Sequence, residues 1–262
     1  MNTVGDFIKS GSIDIVPILT LVLRKSVASL ISHSDYQLNN IEITKLNELV
    51  DKRAKGVPFA YLNNKKGFYH LEFIVTEATL IPRPETELLV DIALEILDKD
   101  SNYEIVDLGT GSGVIAVTLA DIRPNWNLTA TDLSVFALEV AKKNKTKDIN
   151  FLHGYWLDAV GEKKFDMIVC NPPYIAEKDP HLKELTFEPI SALTSGTDGL
   201  DDIKAIIKKA PEHLNKNGYL LLEHGHDQQA EVVKLLRKDF NNIKRFNDYS
   251  NIERAVLAKV KK

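Results

Sequence analysis

The stretch Ile105-Val106-Asp107-Leu108-Gly109-Thr110-Gly111-Ser112-Gly113 is the part of the chain that sets its fold class. Its apolar start predicts a buried strand, and the mainly apolar residues 114–120 after it predict a helix. The glycines between them allow a tight turn and let a ligand approach the backbone closely. The first turn of the helix adds free N–H groups at the same place. We therefore expect a strand, a ligand-binding loop and a helix, although dinucleotide-binding enzymes use similar loops.

An acidic residue ends the next predicted strand, residues 128–132. Asp132 follows Gly113 at the chain distance that is usual for a carboxylate binding ribose hydroxyls. The alternative is that Asp132 caps the helix that begins near Val135. Ribose binding and helix capping both remain open on this pattern alone.

A third motif, Asn-Pro-Pro-Tyr at 171–174, follows the predicted buried strand 165–170. The carboxyl end of such a strand is where open α/β sheets bind ligands. Neither proline donates a hydrogen bond and both have a fixed φ, so the turn is stiff and rich in acceptors. Fixed acceptors, among them the side-chain oxygen of Asn171, suit a planar –NH2 group. The alternative is that Asn-Pro simply marks a turn after the strand.

Strands and helices alternate from residue 103 onward. The candidate strands are 103–107, 128–132, 149–153, 165–170, 218–223, 243–247 and 254–259. The first five, with helices between several of them, predict a parallel, doubly wound α/β sheet. The last two are joined by a short connection, which favours an antiparallel pair at one edge.

In residues 1 to about 55, apolar side chains instead recur at spacings of three and four, which predicts helices. One amphipathic helix is expected from the spacing of Val16, Leu19, Leu23, Val27 and Leu30, and a second from Ile43, Leu46, Leu49 and Val50. Gly-Val-Pro at 56–58 is expected to end the second helix. The alternating pattern of residues 68–75, which are rich in aromatic and β-branched side chains, predicts a strand within a hairpin that links two domains.

The order of glycine loop, Asp132 and Asn-Pro-Pro-Tyr resembles that of S-adenosylmethionine-dependent methyltransferases acting on a nitrogen conjugated to a planar system. Further stretches are similar to the protein-glutamine N5-methyltransferases that modify peptide chain release factors. These are Ile-Pro-Arg-Pro-Glu-Thr-Glu at 81–87, Phe-Glu-Pro at 187–189, Leu-Glu-His-Gly at 222–225 and Ile-Glu-Arg-Ala-Val at 252–256. The similarity extends from about residue 56 to the C-terminus.

This resemblance implies a Rossmann-like class I methyltransferase with a seven-stranded sheet and a small helical N-terminal domain. The implied domains are a substrate-recognition domain 1–66, a β-hairpin linker 67–82 and a methyltransferase domain 83–262. The cofactor is then S-adenosyl-L-methionine, and the substrate is the glutamine in the Gly-Gly-Gln loop of release factors.

The resemblance also implies roles for individual residues. The implied cofactor-binding residues are Gly109, Thr110, Gly111, Ser112, Gly113, Asp132, Trp156 and Asn171. The implied substrate-binding residues are Asn171, Pro172, Pro173 and Tyr174, of which Asn171, Pro172 and Tyr174 are catalytic. The resemblance implies that the Asn171 side chain and the Pro172 carbonyl accept from the substrate –NH2, that Tyr174 packs on the amide, and that Trp156 lies against adenine. No metal is expected.

Some positions leave open questions. Core packing is the alternative role for Trp156, and Tyr155 stands where the family has an acid that accepts from adenine. Arg83 and its neighbours at the start of a predicted helix are either partners of the helix dipole or part of the site mouth. The role of Glu223, at the predicted end of the fifth strand, is open as well.

The composition is ordinary for a soluble globular chain, with 262 residues, 44% of them apolar, and a net charge of −4. This charge argues against a large nucleic-acid footprint, which usually requires a basic domain. The chain has a single cysteine, Cys170, and so no intramolecular disulfide, which fits a reducing cytoplasm. Because Cys170 lies in a predicted apolar strand, we expect it to be a small buried hydrophobic residue. The apolar residues 13–23 are too few to span a membrane, and no secretory leader is expected. We expect a cytoplasmic monomer that contacts release factors, without stable nucleic-acid or membrane binding.

Alternative functions remain at this point. An amino-methyltransferase of adenine or cytosine in nucleic acid also acts on a conjugated –NH2. A non-catalytic cofactor-binding module would not need an intact Asn-Pro-Pro-Tyr motif. An NAD-dependent dehydrogenase fits the glycine loop less well and leaves that motif unexplained.

Overall fold

The computed structural model describes residues 2–261, and the chain divides into two compact units that meet in sequence at Lys65 and Lys66. In the first unit, the described residues form five helices. They are α1 (Val4–Lys9), α2 (Ile15–Leu23), α3 (Val27–Ser32), α4 (Asn40–Ala54) and α5 (Phe59–Asn63). Their apolar faces enclose a small core in which Ile18, Leu19 and Leu46 are completely buried.

The second predicted helix is confirmed as α4, and a capping box explains where it begins. The Asn39 side chain accepts from the backbone N–H of Glu42 at 3.0 Å, and Glu42 accepts in return from the Asn39 N–H at 2.8 Å. Gly56, with φ 96°, follows the end of the helix, as predicted.

The prediction of one helix through residues 16–30 is wrong. Arg24 adopts a left-handed conformation, with φ 53°, and ends α2. Ser26 then starts α3 by accepting from the Ser29 N–H at 3.2 Å. The apolar periodicity continues across this break, so the spacing alone does not reveal it.

A hairpin of β1 (Lys65–Phe68) and β2 (Leu71–Ile74) follows the first unit and belongs to the second unit apart from Lys65. The prediction of a continuous strand over 68–75 is therefore wrong in its bounds, although the hairpin was expected. Tyr69 has φ 55° and turns the chain, while the Phe68 and Phe73 rings meet edge to face at 6.1 Å.

A seven-stranded sheet forms the centre of the second unit, in the order β5-β4-β3-β6-β7-β9-β8. The strands are β3 (Glu104–Leu108), β4 (Asn127–Asp132), β5 (Asn150–His153), β6 (Phe165–Cys170), β7 (Leu214–Glu223), β8 (Phe240–Asn247) and β9 (Glu253–Val260). Strands β3 to β7 pair in parallel, and β9 is antiparallel to both β7 and β8. The predicted fold class is confirmed, including the antiparallel pair at one edge.

Helices cover both faces of this sheet, and the alternation of side chains along β3 shows why. Ile105 packs in one buried cluster with α6 (Glu87–Ile96) and α7 (Val114–Ile122). Val106 packs in a second cluster with α9 (Asp201–His213) and α10 (Gln229–Leu236). A strand with both faces buried is expected to be apolar at nearly every position, as β6 is. Strand β3 departs from this pattern, because it begins with Glu104 and contains the buried Asp107. The remaining helix, α8 (Val135–Asn144), follows β4.

The parallel register aligns the carboxyl ends of the central strands. Leu108 pairs with Cys170, Cys170 pairs with Leu222, and Asp132 pairs with His153. The glycine loop, Asp132 and the Asn-Pro-Pro-Tyr segment consequently emerge at one edge of the sheet. Among residues 2–261 there is no helix with the length and apolar character needed to cross a membrane.

Candidate active site

A cavity of about 500 Å³ lies at this edge of the sheet. Its lining comes from the carboxyl end of β4, from the loops that follow β2, β3, β4, β5 and β6, from the segment before α9, and from the first turns of α8 and α9. The lining residues are Ala78, Thr79, Leu80, Gly109, Gly111, Asp132, Leu133, Ser134, Ala137, Gly154, Tyr155, Trp156, Asn171, Pro173, Pro189, Ser191, Ala192, Thr194 and Asp202. The volume falls in the range of small-molecule and cofactor sites.

The glycine loop forms one wall of the cavity. Gly109 has φ 67°, and a Cβ on it would lie 2.8 Å from Cζ3 of Trp156. Only glycine therefore allows the indole to pack against the loop. Gly111 also has a positive φ, 57°, and its N–H points to Asp132. The loop backbone is thus exposed to a ligand and fixed in shape.

Asp132 is oriented by two backbone N–H groups. One carboxylate oxygen accepts from Gly111 at 2.9 Å and the other from Ser134 at 2.8 Å. Ser134, rather than Asp132, caps α8 by accepting from the Ala137 N–H. An ionised carboxylate has about four acceptor positions, so two remain for ligand hydroxyls. Burial raises the pKa of Asp132, which the two backbone hydrogen bonds partly oppose.

Trp156 is fixed by an acid that the sequence interpretation missed. Its indole Nε1 donates to Oδ1 of Asp202 at 2.9 Å, and the Tyr155 hydroxyl donates to the same oxygen at 2.9 Å. Ser195 donates to the other oxygen of Asp202 at 2.7 Å. Trp156 itself has φ 45°, an unusual conformation for a bulky residue. Asp202, in the first turn of α9, therefore supplies a carboxylate to the cavity close to Tyr155.

No spacing rule would have identified Asp202 from the sequence. Adjacent acids in the first turn of a helix are common because they favour the helix dipole. Only the fold shows that one of them, Asp202, faces the cavity while its neighbour Asp201 is exposed.

The Asn-Pro-Pro-Tyr segment forms the opposite part of the lining through Asn171 and Pro173. The Asn171 Nδ2 donates to Oγ1 of Thr86 at 2.9 Å. The Tyr174 hydroxyl donates to Glu223 at 3.2 Å, and its backbone carbonyl accepts from Gln228 at 2.9 Å. The segment is held in place at both ends.

Six of the expected site residues line the cavity, and five are not among its lining residues. The lining residues are Gly109, Gly111, Asp132, Trp156, Asn171 and Pro173. Those outside the lining are Thr110, Ser112, Gly113, Pro172 and Tyr174. The Thr110 hydroxyl donates to the buried Asp107 at 2.6 Å, and so supports the loop from within. The individual roles assigned to these residues remain predictions.

Arg83 and Glu87 stabilise the start of α6 by hydrogen bonds to other parts of the fold. The Arg83 guanidinium donates to the buried carboxylate of Glu188, which also accepts from the Ile81 N–H at 2.9 Å. Glu87 accepts from the Tyr69 N–H at 2.6 Å. The motifs at 81–87 and 187–189 are thereby joined in space, and Arg83 is absent from the cavity lining.

Two family models match the chain. "Methyltransferase small domain" matches residues 85–198, and "PrmC N-terminal domain" matches residues 8–62. A release factor glutamine methyltransferase of Coxiella burnetii is 42% identical over 256 residues, covering 96% of this chain and 92% of that protein. One of Xylella fastidiosa (strain Temecula1) is 46% identical over 230 residues, covering 86% of this chain and 84% of that protein.

Solved structures support the fold. A methyltransferase from Pyrococcus furiosus has a TM-score of 0.57 at 17% identity, covering 82% of this chain and 98% of its own. The T. thermophilus 16S rRNA N2 G1207 methyltransferase, in complex with AdoMet and guanosine, has a TM-score of 0.56 at 19% identity. It covers 75% of this chain and 50% of its own. These likenesses concern the fold alone.

Sheet order, cavity position and the matched methyltransferase domain agree, and together they define a class I S-adenosylmethionine-dependent methyltransferase. Relatives at 42–46% identity extend along most of the chain. The chain belongs to the release factor glutamine methyltransferase family, which confirms the resemblance seen in its motifs.

Proposed function

We propose that this enzyme transfers methyl from S-adenosylmethionine to the side-chain amide nitrogen of the glutamine in the Gly-Gly-Gln loop of peptide chain release factors. The observation that carries the proposal is that one cavity of about 500 Å³ is lined by both Gly109 and Asp132 and by Asn171 and Pro173. The names of the relatives support the same substrate class. The reaction thus modifies the machinery of translation termination.

The cofactor half of the cavity fits S-adenosylmethionine. Asp132 has two free acceptor positions for the ribose hydroxyls, and the loop at Gly109 leaves room for close approach. The face of Trp156 suits a flat adenine ring. When bound, the cofactor supplies a methyl group already activated by its sulfonium. The protein is left to bind and align the acceptor.

The substrate half must restrain a poor nucleophile, because the lone pair of an amide nitrogen is delocalised into its carbonyl. The Asn171 side-chain oxygen and the Pro172 carbonyl would accept from the substrate –NH2 and hold its face toward the methyl group. Such alignment contributes roughly 7–11 kcal/mol in favourable cases. Burial raises the pKa of the Tyr174 hydroxyl well above its ordinary value, so Tyr174 stays protonated and serves as a packing surface rather than a base. The amide proton leaves to solvent after methylation.

The helical first unit is proposed to dock the release factor, and this gives residues 1–66 their role in substrate recognition. The match of residues 8–62 to an N-terminal domain model supports a separate recognition module. The net charge of −4 supports a protein partner over stable binding to nucleic acid. We further propose that the enzyme acts as a cytoplasmic monomer without a membrane partner.

The test is to incubate the enzyme and labelled cofactor separately with release factor, DNA and RNA, and to locate the methyl group by mass spectrometry. We expect label only on the release factor, with a modest loss of rate between about 50 and 200 mM salt. A nucleic-acid substrate held by about 6–10 phosphate contacts would lose about 10³–10⁵ in affinity over that range. Label on a base with such a salt dependence would contradict the proposal.

A further inference from the structure

A buried carboxylate lies directly behind the Asn-Pro-Pro-Tyr segment. Glu223, at the end of β7, is 1% exposed, and Thr86, which precedes α6, is 3% exposed. The Thr86 hydroxyl donates to Oε2 of Glu223 at 2.9 Å and accepts from Nδ2 of Asn171 at 2.9 Å. Oε1 of Glu223 accepts from the Tyr174 hydroxyl at 3.2 Å. One carboxylate therefore contacts the segment by two routes.

The direction of these hydrogen bonds follows from the number of available protons. An ionised carboxylate only accepts, and a threonine hydroxyl has one proton to give. Since Thr86 gives that proton to Glu223, its oxygen is left as an acceptor. It then favours the –NH2 end of the Asn171 amide over the carbonyl end.

The orientation of the Asn171 amide decides what faces the substrate. Asn171 lines the cavity, whereas Thr86 and Glu223 do not. With Nδ2 turned to Thr86, Oδ1 is the amide atom available to the cavity. The opposite orientation would present an –NH2 group to the substrate –NH2, and two donors repel each other.

We propose that Glu223 and Thr86 are positioning residues that fix the Asn171 amide with its oxygen toward the substrate nitrogen, while Glu223 also fixes Tyr174. This hydrogen-bond chain, Glu223–Thr86–Asn171, sets the acceptor character of the site without touching substrate or cofactor. The proposal rests on the proposed function, because it takes Asn171 as the acceptor for the glutamine amide.

The hydrogen-bond chain Glu223–Thr86–Asn171 contains one group, Glu223, that is sensitive to pH. Burial raises the pKa of Glu223 to about 7, opposed by the hydrogen bonds from Thr86 and Tyr174 and by Arg254 on β9, and supported by the nearby Glu85. Protonated Glu223 is able to donate to Thr86, which releases the constraint on the hydroxyl proton. Ionisation of Glu223 therefore favours the productive orientation, and turnover should rise with pH near neutrality.

The first test compares Thr86→Val, which keeps the shape but removes the hydroxyl, with Thr86→Ser, which retains it. Thr86→Val should lower kcat by about 100-fold, the scale of a small misplacement of a reacting group, and leave cofactor affinity within about threefold. Thr86→Ser should restore most of the lost turnover. A Thr86→Val enzyme with kcat within about threefold of wild type would overturn the proposal.

A double variant shows whether Thr86 acts through Asn171. If it does, Thr86→Val/Asn171→Ala should be no slower than Asn171→Ala. In Asn171→Ala the side chain that Thr86 positions is already absent, so the loss of the Thr86 hydroxyl has no further effect. Effects that multiply independently would overturn the proposal. Asn171→Ala alone at wild-type rate would refute the acceptor role of Asn171, on which this proposal depends. Failure of the unaltered enzyme to label the release factor would instead refute the proposed function, so the two failures are distinguishable.

Glu223→Gln provides a second variant of nearly unchanged shape should Thr86→Val fold poorly. Its side chain stays neutral, so the rise of kcat with pH near 7 should be lost, while Thr86→Ser should retain it. Persistence of the full rise in folded Glu223→Gln would overturn the role of Glu223.

Discussion

Replacement of Asp132 should weaken cofactor binding, and the structure sets the expected size. Two acceptor positions of the carboxylate hold Gly111 and Ser134, and the other two are available for ribose hydroxyls. Loss of a hydrogen bond to a charged group costs about 1.5–3 kcal/mol. Asp132→Ala should therefore raise the Kd for S-adenosylmethionine by about 10- to 150-fold.

Asp132→Asn is the sharper form of this prediction. Both carboxylate oxygens accept from backbone N–H groups, so an asparagine would have to turn its –NH2 toward one of two donors. We therefore expect Asp132→Asn to bind the cofactor little better than Asp132→Ala, despite its similar shape. Asp100→Ala, at an exposed turn, is the control for the change in net charge.

Calorimetric titration of each folded variant with S-adenosylmethionine measures the effect. A Kd within about threefold of wild type for Asp132→Ala would remove this carboxylate from the cofactor site. Wild-type affinity in Asp132→Asn alone would show that one oxygen suffices, and would refute the argument from two backbone donors.

Three further predictions follow from the site. Asn171→Ala should fold normally and lower turnover at least about 100-fold at saturating substrates, since an aligning acceptor is lost. A near-normal rate in steady-state kinetics would contradict the role of Asn171 as acceptor for the substrate –NH2. Gly109→Ala should weaken cofactor binding, because the new Cβ would lie 2.8 Å from Trp156 and a φ of 67° costs a non-glycine residue about 1–2 kcal/mol. Unchanged affinity in calorimetry would contradict the packing of Trp156 against Gly109. Burial raises the pKa values of Asp107 and Glu223 to about 7, above their ordinary values, so the folded state binds more protons than the unfolded state and stability should fall as pH rises from about 4 to about 7. Glu223→Gln should reduce that fall by up to about 3 kcal/mol in urea unfolding, and an unchanged pH dependence would show that Glu223 does not titrate in this range.

Much of the second unit could be predicted from the sequence because its signals are local. The apolar strand 105–108, the glycines after it and the acid at 132 are close in the chain, and each reflects one physical requirement. The parallel sheet then brings strand ends together by a general rule. The predicted cavity residues Gly109, Asp132 and Asn171 follow from that rule.

Other features depend on contacts between distant residues, which no spacing reveals. Asp202 reaches Trp156 across 46 positions, and Thr86 reaches Glu223 across 137. The break between α2 and α3 has a different origin. The apolar period continues through Arg24, while the left-handed turn there and the Ser26 cap are backbone features that hydrophobic spacing does not include.

The cavity is proposed to hold a glutamine –NH2 for methylation, and the decisive test is a substrate that lacks this group. The assay presents two release factors to the enzyme with labelled cofactor, one unchanged and one with the glutamine of its Gly-Gly-Gln loop replaced by glutamate. Glutamate keeps the shape but has no amide nitrogen. We predict one methyl group on the glutamine nitrogen of the unchanged factor, located by fragmentation in a mass spectrometer, and none on the variant. Equal labelling of both factors, or a methyl group located elsewhere, would show that the glutamine –NH2 is not the acceptor.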